Sequence, residues 1–117
     1  MEMKESPKKV LNICLSGAAG RIAYLLLPKL CSGNIFGKDV HIKLNLLDLK
    51  SRRTYLEYIL MELEDSAYTL LLSVRITEEL KDAFDQIDLA ILLGGNPRKP
   101  GNLQYSFSYK YLRITKN

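Results

Sequence analysis

Gly17, Gly20 and Ala23 stand three residues apart in Gly17-Ala18-Ala19-Gly20-Arg21-Ile22-Ala23, and this spacing carries the chain's clearest chemical potential. Small residues so placed let the backbone turn tightly and let a phosphate approach its N–H groups. A helix starting there adds unpaired amides and a positive dipole end, both of which favour an anion. Ala18, Ala19, Arg21 and Ile22 complete the backbone of that cradle. Asp48 follows further along the chain. A carboxylate about 20 residues past such a turn can accept hydrogen bonds from ribose hydroxyls. Its charge opposes a 2′-phosphate and so favours NAD over NADP; Lys50, Arg52 and Arg53, close behind, weaken that preference. Turn and acid together describe the two ends of a dinucleotide site. Singly, the turn is equally an ordinary strand-to-helix connection, and Asp48 a solvated carboxylate at a strand end.

Gly94 and Gly95 end the last apolar run before Asn96-Pro97-Arg98. Glycines at such a strand end let the backbone approach a ligand in the cofactor crevice. Arg98 on the loop beyond could pair in bidentate fashion with a substrate carboxylate; it is equally a solvated surface charge. His41, the sole histidine, has no motif around it and reads as structural or solvent-exposed. No nucleophile–base arrangement is recognisable, and no Gly-Lys-Ser/Thr follows the glycine turn. One histidine and no CxxC leave no metal-ligand set.

These residues need strands and helices to hold them. Val10 to Ser16 is an apolar run that suits a strand covered on both faces. Ile22, Ala23, Leu26, Leu27 and Leu30 recur at helical spacing up to about Cys31, with Pro28 expected to kink the last turn and Ser32-Gly33-Asn34 to stop the helix. His41 to Asp48 alternates, Ile42, Leu44 and Leu46 against Lys43, Asn45 and Leu47, as a strand does. Ser51 is expected to cap a helix that begins at Arg52 and ends about Asp65, with Leu56, Ile59, Leu60 and Leu63 in one stripe. Its other face keeps Tyr58, Met61 and Glu62, apolar enough to suggest a partner surface. Ser73 to Ile76 reads as a short strand, Thr77 as the cap of a helix holding Leu80, Ala83 and Phe84, and Ile87 to Leu93 as a buried strand. The alternation implies an α/β fold: a partial Rossmann domain over residues 10–101, with a parallel sheet of about four strands and flanking helices. Residues 1–9 read as a disordered leader. Residues 102–117, with four aromatics and no acid, show no clear stripe and are left unassigned.

With 117 residues and 47% hydrophobic content the chain suits one globular domain at most. The net charge of +4 is uneven: residues 10–95 carry nine Lys/Arg against eleven Asp/Glu, whereas residues 96–117 carry five Lys/Arg and no acid. The basic excess belongs to the tail, which argues against a nucleic-acid footprint on the domain. No apolar run reaches the ~18 residues of a membrane span, and the charged N-terminus lacks a signal-peptide core. Cys14 and Cys31 read as buried hydrophobes of a reducing cytoplasm rather than a disulfide.

Taken in order, these segments resemble the N-terminal, NAD-binding part of malate dehydrogenases of the cytosolic type. The resemblance is carried by Gly17-Ala18-Ala19-Gly20-Arg21-Ile22-Ala23-Tyr24, Gly33-Asn34-Ile35-Phe36-Gly37-Lys38-Asp39 and Leu46-Leu47-Asp48. It continues through Met61-Glu62-Leu63-Glu64-Asp65-Ser66-Ala67, Asp88-Leu89-Ala90-Ile91-Leu92-Leu93-Gly94 and Pro97-Arg98-Lys99, and spans about Val10 to Gly101. It implies NAD as cofactor, with Gly17 to Ala23 on the pyrophosphate, Asp48 on the adenosine ribose, Gly94 and Gly95 on the nicotinamide side, and Arg98 on a malate or oxaloacetate carboxylate. It also implies a homodimer, or pairing with a full-length subunit, through the helix from Arg52 to Asp65. Gln104 stands where the family has a second substrate arginine, Lys99-Pro100 replaces a basic–acidic pair, and Arg21 replaces a glutamine. The family's catalytic histidine and its aspartate partner lie in a second half with no counterpart here, so no catalytic residue is assigned. The expectation is a truncated product, altered by an alternative exon or frameshift at about Gly101 and inactive alone. The alternative is a non-catalytic nucleotide-binding or subunit-interaction module.

Overall fold

A computed structural model describes residues 9–93 and the backbone of Tyr111–Ile114. β1 (Lys9–Ser16) is the central strand; β2 (Val40–Leu47) and β4 (Leu89–Leu92) pair with it in parallel on either side. β3 (Leu71–Thr77) pairs in parallel with β2, giving the order β3-β2-β1-β4. This is the first part of the doubly wound order, with the crossover reversing between β1 and β4. The four-stranded parallel sheet expected from the sequence is therefore present. To it the structure adds β5 (Tyr111–Ile114), antiparallel on the outer edge of β4, with Leu112 opposite Ile91. Lys9, read as the end of the leader, opens β1; the residues before it lie outside the described ones.

Period-two alternation sorts the sheet's side chains between two layers. Ile13 and Leu15 of β1, Ile42, Leu44 and Leu46 of β2, and Leu89 and Ile91 of β4 join one cluster with α1 (Arg21–Cys31) and α2 (Arg53–Asp65). These helices contribute Ala23, Leu27, Leu30 and Cys31, and Leu56, Ile59 and Leu63. Burial of each large aliphatic side chain stabilises the layer by about 1.5–3 kcal/mol. Cys14, Leu47 and Ala90 point the other way and meet Ala83 of the short α3 (Leu80–Ala83) together with Ile87. The two cysteines thus lie in different layers, both free and fully buried, and burial pushes each thiol up to about 11.

The helix ends show where local sequence was overruled. α1 runs through Pro28 to Cys31 and ends as expected at Ser32, with the Asn34 amide donating to the Lys29 carbonyl. Ser51 does not cap α2. It lies inside a 3₁₀ turn, Lys50–Arg52, closed by the Arg52 amide on the Leu49 carbonyl. That turn moves the helix start one residue on, so the N-cap is Arg52, which has no side-chain oxygen to offer. Leu60 is only half-buried, at the margin of the expected stripe. Thr77 ends β3, and its hydroxyl accepts from the Glu79 amide, bracing the entry to α3 from two residues before it.

Candidate functional site

The parallel strands β1 and β2 end together, so the turn after β1 meets the residue after β2. Gly17 turns with φ +72°, a left-handed conformation that favours glycine. The Ala18 amide then donates to the Leu47 carbonyl at 3.1 Å, and the Gly20 amide to the Gly17 carbonyl at 3.0 Å. A Cβ added at Gly20 would lie 3.1 Å from the Gly17 carbonyl oxygen, so a side chain there would require the turn to give by a few tenths of an ångström. Gly20 is the N-cap of α1 and has no side-chain cap; the first intrahelical bond is that of the Tyr24 amide to the Gly20 carbonyl, 3.1 Å. The amides of Arg21, Ile22 and Ala23 precede that bond, which is the arrangement that leaves helix donors for an anion. Ala23 is fully buried against the sheet, where only a small side chain lets helix and strand approach; Arg21 and Ile22 are exposed.

Asp48 sits at this turn, half-buried just past the end of β2. Its Oδ2 accepts from the Ala19 amide at 2.8 Å, and its Oδ1 from its neighbour Leu49 at 2.7 Å. The acid therefore does two things. It fixes the glycine turn by a charge-assisted bond across 29 residues of chain, and each oxygen keeps a lone pair for a further donor such as a ribose hydroxyl. Its own amide donates to the Thr77 carbonyl at 3.3 Å, so β3 also helps to hold it. Neither link had a local signal in the sequence. β4 leaves the sheet beside the same turn, its following residue Leu93 donating to the Ser16 carbonyl at 3.1 Å.

The turn from Gly17 into α1 and Asp48 thus lie together at the ends of β1 and β2. Gly94, Gly95 and Arg98 lie outside the described residues. His41 does not belong to this site: it pairs with Val10 at the start of β2, the opposite end of the strand. Its Nδ1 is buried without a partner among the described residues. Among those residues no cluster of His, Cys, Asp and Glu could hold a metal ion, and no helix is long and apolar enough to cross a membrane. The geometry fits a dinucleotide: a tight amide-rich turn for phosphates, and beside it an anchored carboxylate for a sugar diol.

A family model described as lactate/malate dehydrogenase, NAD binding domain, matches residues 11–116. The chain is 47% identical over 91 residues to a cytoplasmic malate dehydrogenase of Taenia solium, which covers 78% of this chain and 27% of that protein. Its structure resembles the crystal structure of malate dehydrogenase from Naegleria fowleri, with a TM-score of 0.79 and 40% identity, over 86% of this chain and 30% of that one. It also resembles Trichomonas vaginalis lactate dehydrogenase in complex with NADH and oxamate, with a TM-score of 0.73 and 37% identity, over 79% of this chain and 28% of that one. The chain spans under a third of the length of each of these relatives.

Proposed function

The chain belongs to the lactate/malate dehydrogenase family through its NAD-binding domain, and from that premise we propose that it holds NAD at the β1–α1 turn as part of a malate dehydrogenase. The Asp48–Ala19 hydrogen bond carries this reading, because it joins the phosphate turn to the ribose acid in one rigid unit. Gly17 to Ala23 would hold the pyrophosphate through backbone amides, and Asp48 would accept from the adenosine ribose. Bound NAD supplies hydride-transfer chemistry for interconverting malate and oxaloacetate. The chain's own part is to bind and orient it. Gly94 and Gly95 would line the nicotinamide side, and Arg98 would pair with a carboxylate of the substrate. The relative's name supports malate as substrate and the cytoplasm as location.

Proton transfer to or from the malate hydroxyl needs a base, and His41, the one histidine, stands at the opposite end of β2 from this turn. By itself the chain would bind cofactor without turnover. Tyr55, Tyr58 and Met61 of α2 are exposed, at 43%, 58% and 60%, as is Tyr24 of α1. The Glu62 carboxylate beside Tyr24 holds that phenol above its ordinary value. This face supports pairing with a second subunit through α2. The test is to titrate the purified chain with NADH, following cofactor fluorescence, and to assay malate oxidation alongside. Saturable binding without turnover is expected. Absence of binding overturns the cofactor reading, and measurable turnover overturns the assignment of the chain as binding alone.

A further inference from the structure

We propose that β5 is a positioning element of the cofactor site: its pairing along β4 steadies the strand end that anchors the glycine turn. This rests on the placement of the cofactor at the β1–α1 turn proposed above. In a doubly wound sheet a ligand lies outside the carboxyl ends of the strands, where the strand order reverses. Here that place is between β1 and β4. β1 has a partner along each side, whereas β4 is only four residues long. β4 ends at the crevice. Leu92 lies opposite Ser16, and the Leu93 amide donates to the Ser16 carbonyl at 3.1 Å, immediately before Gly17. The start of the glycine turn is therefore tied on one side to β2, through the Ala18 amide and the Leu47 carbonyl, and on the other to the end of β4.

A strand as short as β4, paired on one side alone, would be an open edge that frays by local opening. β5 closes that side. Tyr111 stands opposite Leu92, Leu112 opposite Ile91, Arg113 opposite Ala90 and Ile114 opposite Leu89, so every residue of β4 is paired on its outer flank. Leu112 and Ile114 thereby take the register positions of two core residues, Ile91 and Leu89. The antiparallel direction puts Tyr111, the first residue of β5, at the crevice end, beside the last residue of β4. Cofactor on the turn and β5 on the edge favour the same closed state of β4. Such coupling is reciprocal: β5 tightens the cofactor and the cofactor tightens β5.

The first measurement uses the unaltered chain: amide hydrogen exchange with and without saturating NADH. The reference is the Leu71 amide, bonded to the Tyr68 carbonyl where β3 begins, at the far corner of the sheet from the crevice. NADH should slow exchange of the β5 ladder amides and of Leu93 about three- to tenfold more than that of Leu71. The second measurement compares NADH dissociation constants for Leu112→Pro and Arg113→Pro. Neighbouring residues of a strand send their amides to opposite sides, so one of these two amides faces β4 and the other faces outward. Proline is tolerated at the outward position of an edge strand, and that variant should bind NADH within about twofold of wild type. The other loses a ladder bond and should bind about three- to tenfold more weakly. The exchange comparison needs no substitution and so decides the matter even where a variant does not fold. Protection of β5 no greater than that of Leu71, or equal NADH affinity in the two proline variants, overturns the inference while leaving the cofactor reading standing. Failure of wild type to bind NADH overturns both.

Discussion

Replacing Asp48 by Ala should cost stability even with no cofactor present, because the carboxylate holds the turn as well as facing the ligand. The variant removes the acceptor of the Ala19 amide, now at 2.8 Å. Ala19 is only 7% exposed, so water does not easily replace the lost partner. A hydrogen bond to a charged acceptor contributes about 1.5–3 kcal/mol. The second amide on Asp48 belongs to Leu49, which is 64% exposed, so solvent can satisfy it and its loss adds little. At about 4 °C per kcal/mol for a domain of this size, the melting temperature should fall by about 6–12 °C. Asp48→Asn keeps an oxygen for Ala19 and gives up the charge, so about half of that loss is expected. The assay is thermal unfolding followed by circular dichroism in the absence of nucleotide, then repeated with saturating NADH. NADH should raise the wild-type transition and leave that of Asp48→Ala unmoved. A ligand-free transition for Asp48→Ala within about 2 °C of wild type would refute the bracing role, since that corresponds to less than about 0.5 kcal/mol.

Gly17→Ala places a Cβ at φ +72° and should destabilise the fold by about 1–2 kcal/mol, read as a lower urea midpoint at unchanged slope. Both thiols are buried with pKa values raised from 9.0 to about 11, so a thiol reagent at neutral pH should label Cys14 and Cys31 only at the rate of unfolding. A raised thiol pKa favours the protonated form in the folded state; the contribution is constant below about pH 9 and is lost as pH rises toward about 11, a fall in stability that denaturation at graded pH would reveal. Tyr58→Glu, on the exposed face of α2, should change monomer stability by less than about 0.5 kcal/mol yet abolish self-association in sedimentation, and an unchanged dimer would exclude that face as the interface.

Features that depend on spacing along a few turns of chain were legible before any fold was known. Ile42, Leu44 and Leu46 alternate with Lys43, Asn45 and Leu47, and a strand can only send those sets to opposite faces, as β2 does. The glycine turn was legible for the same reason, since a left-handed residue at Gly17 and a crowded one at Gly20 demand particular residue types. The capping of α2 was not, because the 3₁₀ turn ahead of it shifted the helix start away from Ser51. Nor did the tail's composition reveal that Tyr111–Ile114 would pair with β4, since a strand at a sheet edge is selected by the backbone groups left open beside it. The bonds that make the site one unit come from the folded arrangement of the sheet. Asp48 reaches Ala19 across 29 residues and Arg53 reaches Glu78 across 25. Such pairs arise when parallel strands bring their ends together, a proximity set by sheet order and register, which no local pattern of side chains encodes.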